Sequence, residues 1–296
     1  MMDGLSEERV QEYLKHLGMS KPTELNREYL DALVSTHLER VPFENLDVHL
    51  DRRIAIDAET VFNKLIRRGR GGYCFELNPL FFRLLVSLGY KAQLHSARLR
   101  IGAPDNSTKR ARMSHAVPIV ELPNGDRCVA DVGMGLIGLH KALPLKGDAA
   151  PFGVRVVDAA GRIEVAVPTI SGSLKGLYMI EPYDLDWIDF STLSWYSCTH
   201  PDSSMRRLLL AGRRTEGCWA RLRNDTFIRW SPTKGIVEKK VMRDENDVLE
   251  LLQTEFGLRL NLVDEVIPLK ARLQKFLADV RPDENALTKK VVWPEG

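Results

Sequence analysis

A cysteine follows two adjacent glycines in Arg70-Gly71-Gly72-Tyr73-Cys74-Phe75-Glu76-Leu77-Asn78. It opens an apolar, helix-like run through Phe75, Leu77, Leu80, Phe81, Leu84 and Leu85. That arrangement suits a reactive thiol. The glycines allow a tight turn and keep bulk away from the sulfur. The free N–H groups and partial positive charge of a helix start favour thiolate over thiol. Pro79 fits the first turn, where its missing N–H would have had no partner, so the helix is expected to begin close to Cys74. The plain alternative is a buried cysteine acting only as a small hydrophobe. The glycines, Arg70 and the helix start together favour a nucleophile.

Such a nucleophile needs a base, and the base needs an orienting acceptor. Ala116 to Leu122 and Cys128 to Val132 are β-rich and flank Pro123-Asn124-Gly125-Asp126, where Asn-Gly is a strong hairpin signal. His115 is expected at the start of the first strand and Asp131 at the end of the second. The two would face each other, with a bulge or uneven turn absorbing the mismatch. Asp131 would bond one ring nitrogen and leave the other aimed at sulfur. Asp131-Val132-Gly133-Met134-Gly135 adds a backbone suited to close approach. A satisfied strand-end histidine and a turn carboxylate before glycine fit the same pattern. Spacing alone does not separate His115 from His37, His49, His95, His140 or His200.

The elements that must position these groups change character along the chain. Up to residue 91 the pattern is helical: Leu5 to Leu17 with Ser6 as N-cap and Gly18 as stop, Asn26 to Leu38, Asp57 to Arg68 closed by Gly69, and Cys74 to Gly89. Val41-Pro42 breaks the series, since a residue before proline avoids the helical region. Residues 92–195 read as mostly β, with a second hairpin turning at Ala159-Ala160-Gly161. Residues 196–296 are mixed: strands at Trp219–Arg223, Thr226–Trp230 and Val237–Val241, then helices at Asn246–Thr254 and Asp264–Val280.

The 296 residues predict two or three compact units. A hydrophobic content of 44% with 28% charged residues is that of a soluble globular protein. A net charge of +2 gives no polyanion signature, so no nucleic-acid partner is expected. Local basic clusters stand at Arg67, Arg68 and Arg70, and at Lys109, Arg110 and Arg112. They read first as solvated helix and loop ends, and alternatively as a patch for cofactor phosphates. Cys74, Cys128, Cys198 and Cys218 form no C-x-x-C pair and no ligand-spaced cluster, so no metal is expected. Scattered cysteines, the absence of a signal-like opening and the lack of an apolar run near ~18 residues point to the cytoplasm and no membrane.

Arg70-Gly-Gly-Tyr-Cys-Phe-Glu-Leu-Asn78 resembles the R-G-G-x-C-x-E-x-N signature of the arylamine N-acetyltransferases. Val41-Pro-Phe-Glu-Asn-Leu46 resembles the family's V-P-F-E-N-L segment. Ser114-His115 and Asp131-Val-Gly-Met-Gly135 match the rest of its Cys-His-Asp triad, and Phe256-Gly257-Leu258 its closing domain. The resemblance implies an α+β fold with a cysteine-protease-like core. Its units would be a helical bundle over 1–91, a β-barrel-like domain over 92–195, and an interdomain segment with an α/β lid over 196–296. It implies transfer of acetyl from acetyl-CoA to aromatic amines or hydrazines through an acetyl-cysteine, with Cys74, His115 and Asp131 as the triad. Phe43, Phe75 and Met134 map to the apolar substrate pocket, and Met134 stands where the family usually has phenylalanine. Glu44 and Arg70 would form an ion pair holding the cysteine loop. Arg112, Met113, Ser114 and Met205 map to the CoA contacts. Met205 replaces the aromatic of an H-P-x-S-x-F segment, and the stretch before His115 lacks the small residues of some members. No long insertion is evident in the second half, as in bacterial members.

The same triad would serve a cysteine peptidase, a transglutaminase-like enzyme or an amide synthase that does not use CoA. A redox-sensing or binding protein with an oxidisable Cys74 is the non-enzymatic alternative.

Overall fold

In a computed structural model of the chain, the described residues are 4–100, 111–146, 153–156, 161–168, 173–184 and 186–280. Lys109 and Arg110 of the second basic cluster, and Ala159-Ala160 of the second expected turn, lie outside them.

The first part is helical because its caps and apolar spacing agree. Helix α1 (Glu7–Leu17) starts where Ser6 accepts from the Arg9 N–H and stops at Gly18, φ 70°. Helix α2 (Arg27–Arg40) is capped by Asn26. A two-residue strand β1 (Phe43–Glu44) and a turn of helix α3 (Leu46–His49) follow the proline break. Helix α4 (Ala58–Phe62), capped by Asp57, runs into a π-turn over Asn63–Arg67. The expected helix is therefore present with a widened last turn. Helix α5 (Cys74–Leu88) begins at the thiol and ends at the left-handed Gly89.

Strands β2 (Lys91–Leu99), β3 (Met113–Glu121), β4 (Arg127–Val129), β5 (Leu143–Pro144), β6 (Gly153–Val156), β7 (Ile163–Pro168) and β8 (Leu174–Asp184) form one sheet, ordered β5-β4-β3-β2-β8-β7-β6. It curls into a half-barrel with α5 packed on β2 and β3. Helix α6 (Trp187–Thr199) interrupts the region read as mostly β. Its apolar spacing is weak, since Ile188 and Trp195 are exposed while Phe190 is buried. The short helix α7 (Ser204–Arg207) follows.

The last part holds β9 (Leu210–Thr215), β10 (Cys218–Arg223), β11 (Thr226–Ser231) and β12 (Gly235–Val241), then α8 (Glu245–Thr254) and α9 (Ile267–Val280), the latter entered through a π-turn at Leu262–Val266. Strand β9 is absent from the sequence reading because Leu210-Ala-Gly-Arg-Arg-Thr215 does not alternate cleanly. It matters for the fold: β1 pairs with it, Phe43 opposite Gly212, so the helical part lends an edge strand to the second, five-stranded sheet, ordered β1-β9-β10-β11-β12.

Beneath the Cys74 loop lies a buried ion network. Arg70 is 1% exposed and meets Glu44 at 2.7 Å, Asp47 at 3.4 Å and Glu265. Lys64 meets Asp47 and Glu76, each at 2.8 Å. Glu265, at the entrance to α9, also accepts from Arg68 at 2.7 Å. Removing one partner of such a buried pair strands a charge, at a cost of about 3–5 kcal/mol. Glu265→Ala is therefore expected to lower unfolding free energy by about 3 kcal/mol in a urea titration. A loss under about 1 kcal/mol would show that Glu265 is not part of what holds Arg70.

Candidate active site

Tyr73 occupies the N-cap of α5 in extended conformation, and its N–H donates to Glu76 Oε2 at 3.1 Å. The helix thus starts with Cys74 as its first residue. The thiol is 7% exposed. Its Sγ lies 3.5 Å from the Ser114 carbonyl oxygen, and the thiol is near enough to the His115 ring to contribute to raising that imidazole's pKa.

His115 lies inside β3, not at its start, because the strand begins at Met113. Asp131 lies beyond β4, which ends at Val129. The register runs Ile119↔Val129, Val120↔Cys128 and Glu121↔Arg127. Extended, it would set His115 against Gly133. Asp131 is the diagonal neighbour of that position, a distance a carboxylate and an imidazole can bridge. His115 Nε2 and Asp131 Oδ2 are 2.8 Å apart, both side chains buried. The facing arises from diagonal reach where the β3–β4 ladder has stopped, and the irregularity beside His115 lies on the other edge of β3, where its pairing with β2 shifts register between Ala97 and Arg98.

Electrostatics follow from that burial. Burial by itself pushes the His115 pKa down. The Asp131 charge and hydrogen bond, with a contribution from Cys74, outweigh it and raise the value to about 10. Burial pushes the Asp131 carboxyl up, but the His115 charge and hydrogen bonds from His115, Asn78 and the Gly133 N–H hold it below the usual range. The pair can therefore exist as imidazolium and carboxylate with the thiol beside it.

Asn78 completes the arrangement. Its Nδ2 donates to Asp131 Oδ1 at 2.8 Å and to the Ala116 carbonyl at 2.5 Å, while its Oδ1 accepts from the Val132 N–H at 2.9 Å. One amide thus ties α5 to β3 and to the Asp131 turn. Its signal was present in the sequence: Asn78 lies one helical turn after Cys74, on the same face. Gly133 explains how close the turn can come, since a Cβ there would sit 3.0 Å from Cys74 Cα and 2.5 Å from Asn78 Nδ2. Tyr178 of β8 was not singled out at all. Its ring lies 5.2 Å from His115, tilted by 46°. Its hydroxyl is near Asp131 but outside hydrogen-bond geometry, and burial with that carboxylate's charge pushes its pKa well above the usual value.

The remaining expected residues are placed unevenly. Ser114 touches Cys74 through its carbonyl. Phe43 is buried in β1 beneath Gly135, whose left-handed conformation and missing Cβ admit the ring. Phe75 is 1% exposed and packs edge-on against Tyr73 and at 6.1 Å from Phe190. Met134 is half-buried against the sheet core. Met113 is half-buried, its sulfur accepting from Ser96 Oγ at 3.3 Å. Arg112 is exposed, its guanidinium 5.0 Å from the Tyr196 ring centre, and Tyr196 stacks on His200 at 4.4 Å. Met205 is half-buried in α7, its carbonyl accepting from Asn45 Nδ2 at 2.9 Å. A cavity of about 980 Å³ lies between Arg52–Asp57 and α6, lined in part by Ser194 and Cys198. Both touch the Tyr73 hydroxyl, Ser194 at 2.5 Å and Cys198 at 3.2 Å. No group that could hold a metal ion, and no helix long and apolar enough to cross a membrane, occurs among the described residues.

Known proteins carry the same design. A family model described as N-acetyltransferase matches residues 26–266. The arylamine N-acetyltransferase of Mycobacterium bovis is 28% identical over 275 residues, covering 90% of this chain and 95% of that protein. The arylamine N-acetyltransferase / N-hydroxyarylamine O-acetyltransferase of Salmonella typhimurium is 30% identical, covering 78% and 83%. The solved structure of Mycobacterium marinum arylamine N-acetyltransferase in complex with CoA superimposes with a TM-score of 0.82 at 27% identity, covering 90% of this chain and 99% of that one. The helical start, curled sheet and closing α/β unit are this family's fold, with its cysteine-protease-like core. With the match spanning most of the chain, it belongs to the arylamine N-acetyltransferase family of acyltransferases.

Proposed function

We propose that the protein transfers acetyl from acetyl-CoA to arylamines and arylhydrazines by a ping-pong mechanism through an acetyl thioester on Cys74. The observation that carries the reading is the buried His115–Asp131 pair at 2.8 Å with the Cys74 thiol against the same imidazole.

The thiol gives its proton to His115, and the resulting thiolate attacks the acetyl carbonyl. The tetrahedral oxyanion forms beside the first turn of α5, whose N–H groups and dipole favour negative charge. The C–S bond to CoA breaks, and His115 returns its proton to the departing thiolate, releasing CoA-SH. Neutral His115 then faces an acetyl-cysteine. An aromatic amine is uncharged at neutral pH and attacks the thioester. His115 takes the proton from nitrogen, the C–S bond to Cys74 breaks, and the thiolate–imidazolium pair is restored. Asp131 holds the tautomer and stabilises the imidazolium. Asn78 and the Gly133 N–H hold Asp131.

Met134 and Phe43 form the apolar wall for the amine's ring. A flexible methionine shapes that wall less rigidly than an aromatic ring and widens the range of amines accepted. Arg112, Met113, Ser114 and Met205 lie toward the CoA side, where the exposed Arg112 is free to meet phosphate. All four cysteines are free, and a reducing cytoplasm suits a catalytic thiol.

Incubation with labelled acetyl-CoA alone, followed by peptide mapping, is expected to place one acetyl on Cys74 and none in Cys74→Ala. A wild-type protein left unlabelled while it consumes a peptide or another activated acyl compound would remove the transferase reading. Asp131→Asn is expected to cut turnover about 10³-fold or more while the protein stays folded, because the wrong imidazole tautomer faces sulfur. Near-full turnover in that variant would break the triad assignment.

The His115 pair also predicts a pH dependence of stability. Its folded pKa of about 10 lies above the ordinary value of 6.5. The folded state therefore holds its proton more tightly than the unfolded chain. That stabilisation is complete below pH 6.5 and is lost as pH rises through about 10. Melting temperature is expected to fall across this window and to fall less in His115→Gln. Parallel curves for the two proteins would show that the pair is not the source.

A further inference from the structure

Elsewhere, α1, α2, the π-turn before the cysteine loop, β9 of the five-stranded sheet and the loop after α8 line a cavity of about 690 Å³. Its wall carries Lys15, His16, Arg40, Arg67, Arg213 and Arg259, with Glu12 as the acid among them. Glu12 is already held by Arg67, through bonds of 2.8 and 2.7 Å. Among the described residues, no carboxylate lies within 4.0 Å of Lys15, Arg40, Arg213 or Arg259. The cavity is thus ringed by cations that the fold brings together without neutralising.

Helix ends account for part of this. Lys15, His16 and Arg40 close α1 and α2, where the dipole favours positive charge. Arg213 comes from β9 and Arg259 from the loop after α8, and neither has that cause. Both are seated against glycines in left-handed conformation. A Cβ on Gly69, φ 63°, would lie 2.8 Å from Arg259 Cδ, and one on Gly257, φ 66°, 2.7 Å from Arg213 Nη1. Arg259 is further tied by its N–H to the Gly69 carbonyl at 3.1 Å, and Arg213 Nε donates to the Glu39 carbonyl at 2.6 Å. The first bond anchors the Arg259 backbone and the second holds the Arg213 guanidinium, and both leave guanidinium N–H groups for another acceptor. The crowding is felt: burial and then the Arg40 charge lower the Arg213 pKa, and His16 is lowered by burial, with Arg259 and Arg40 adding to it. Glu39 and Glu255 act on Arg213 only at longer range, and Glu255 is engaged by Arg229 at 2.5 Å.

We propose that this cavity is a binding site for a small polyanion carrying a pyrophosphate group, separate from the Cys74 centre. Guanidinium forks from Arg40, Arg213 and Arg259 match adjacent phosphate oxygens in paired, charge-assisted bonds. The volume falls within the ~300–1,000 Å³ of small-ligand clefts. A concave site suits a compact anion better than an extended strand of nucleic acid, and the protein's net charge of +2 gives the latter no wider track.

The test is calorimetric titration of the full chain with sodium pyrophosphate at fixed ionic strength, with orthophosphate and ADP run in parallel. Saturable one-to-one binding with a Kd below about 1 mM is expected. The ligand should also raise the melting temperature. Orthophosphate should bind more weakly. Arg40→Gln and Arg259→Gln, both exposed positions, should each weaken pyrophosphate about tenfold. Without ligand, these variants should melt at or above the wild-type temperature because repulsion is relieved. Arg112→Gln, on the CoA side of the Cys74 centre, should bind pyrophosphate as the wild type does. Tighter binding of ADP would identify a nucleotide as the ligand, and equal binding pyrophosphate itself. Absence of saturation in the wild type, equal affinity for orthophosphate, unchanged affinity in the arginine variants or loss in Arg112→Gln would each overturn the proposal.

Discussion

A carboxylate with almost no contact with water sits at the centre of this molecule, and everything near it is arranged to keep it charged. Burying an unpaired charge is among the most unfavourable events in a fold. Asp131 avoids that penalty by accepting from His115, Asn78 and the Gly133 N–H. Each donor comes from a different place: a strand, a helix and the turn itself. The three can converge only if α5, β3 and the Asp131 turn keep fixed separations. Gly133 permits the close approach of that turn to α5, against Asn78 Nδ2 and Cys74 Cα. The geometry that solves a burial problem is therefore the geometry that places an imidazole beside a thiol.

Below the cysteine loop, the chain solves the same problem on a larger scale. Glu44, Asp47, Glu76 and Glu265 are met by Lys64 and Arg70, with Arg52 and Arg68 at the rim. Burial pushes Glu76 up, to about 7, against the pull of Lys64. Its carboxylate also takes the Tyr73 N–H, which fixes the first turn of α5. Glu265 brings a late segment of the chain into this network, and β1 carries an early segment into the five-stranded sheet. The loop bearing Cys74 is consequently gripped from both ends of the sequence.

Much of this was legible beforehand, for physical reasons that differ by element. Ser6, Asn26, Asp57 and Gly89 end helices by local chemistry, which a short stretch of sequence contains in full. The thiol at a helix start was readable for the same reason. The His115–Asp131 contact was anticipated as strands facing, yet it forms diagonally past the end of β4, and ladder geometry beyond the last pair cannot be counted from a turn. Helix α6 hid because its buried face, Phe190, Ser194, Ser197 and Cys198, contains two serines while Ile188 and Trp195 lie on its exposed face, so apolar spacing does not mark it. Strand β9 pairs locally with β10 across Glu216-Gly217, but its pairing with β1 and the role of Glu265 depend on partners more than a hundred residues away, which no local pattern encodes.

The contrast between two groups of arginines close in sequence gives the cationic cavity its meaning. Arg70 is buried and met by Glu44, Asp47 and Glu265, Arg68 reaches Glu265, and Arg67 holds Glu12. Within a few residues the chain pairs three cations with carboxylates, some drawn from its far end. A fold that supplies such partners where it needs neutrality gives Arg40, Arg213 and Arg259 no carboxylate partner among the described residues around a single hollow, and uses two left-handed glycines to seat two of them there. On the proposal of an anion site there, binding would relieve the mutual repulsion of these cations and draw part of its affinity from that relief.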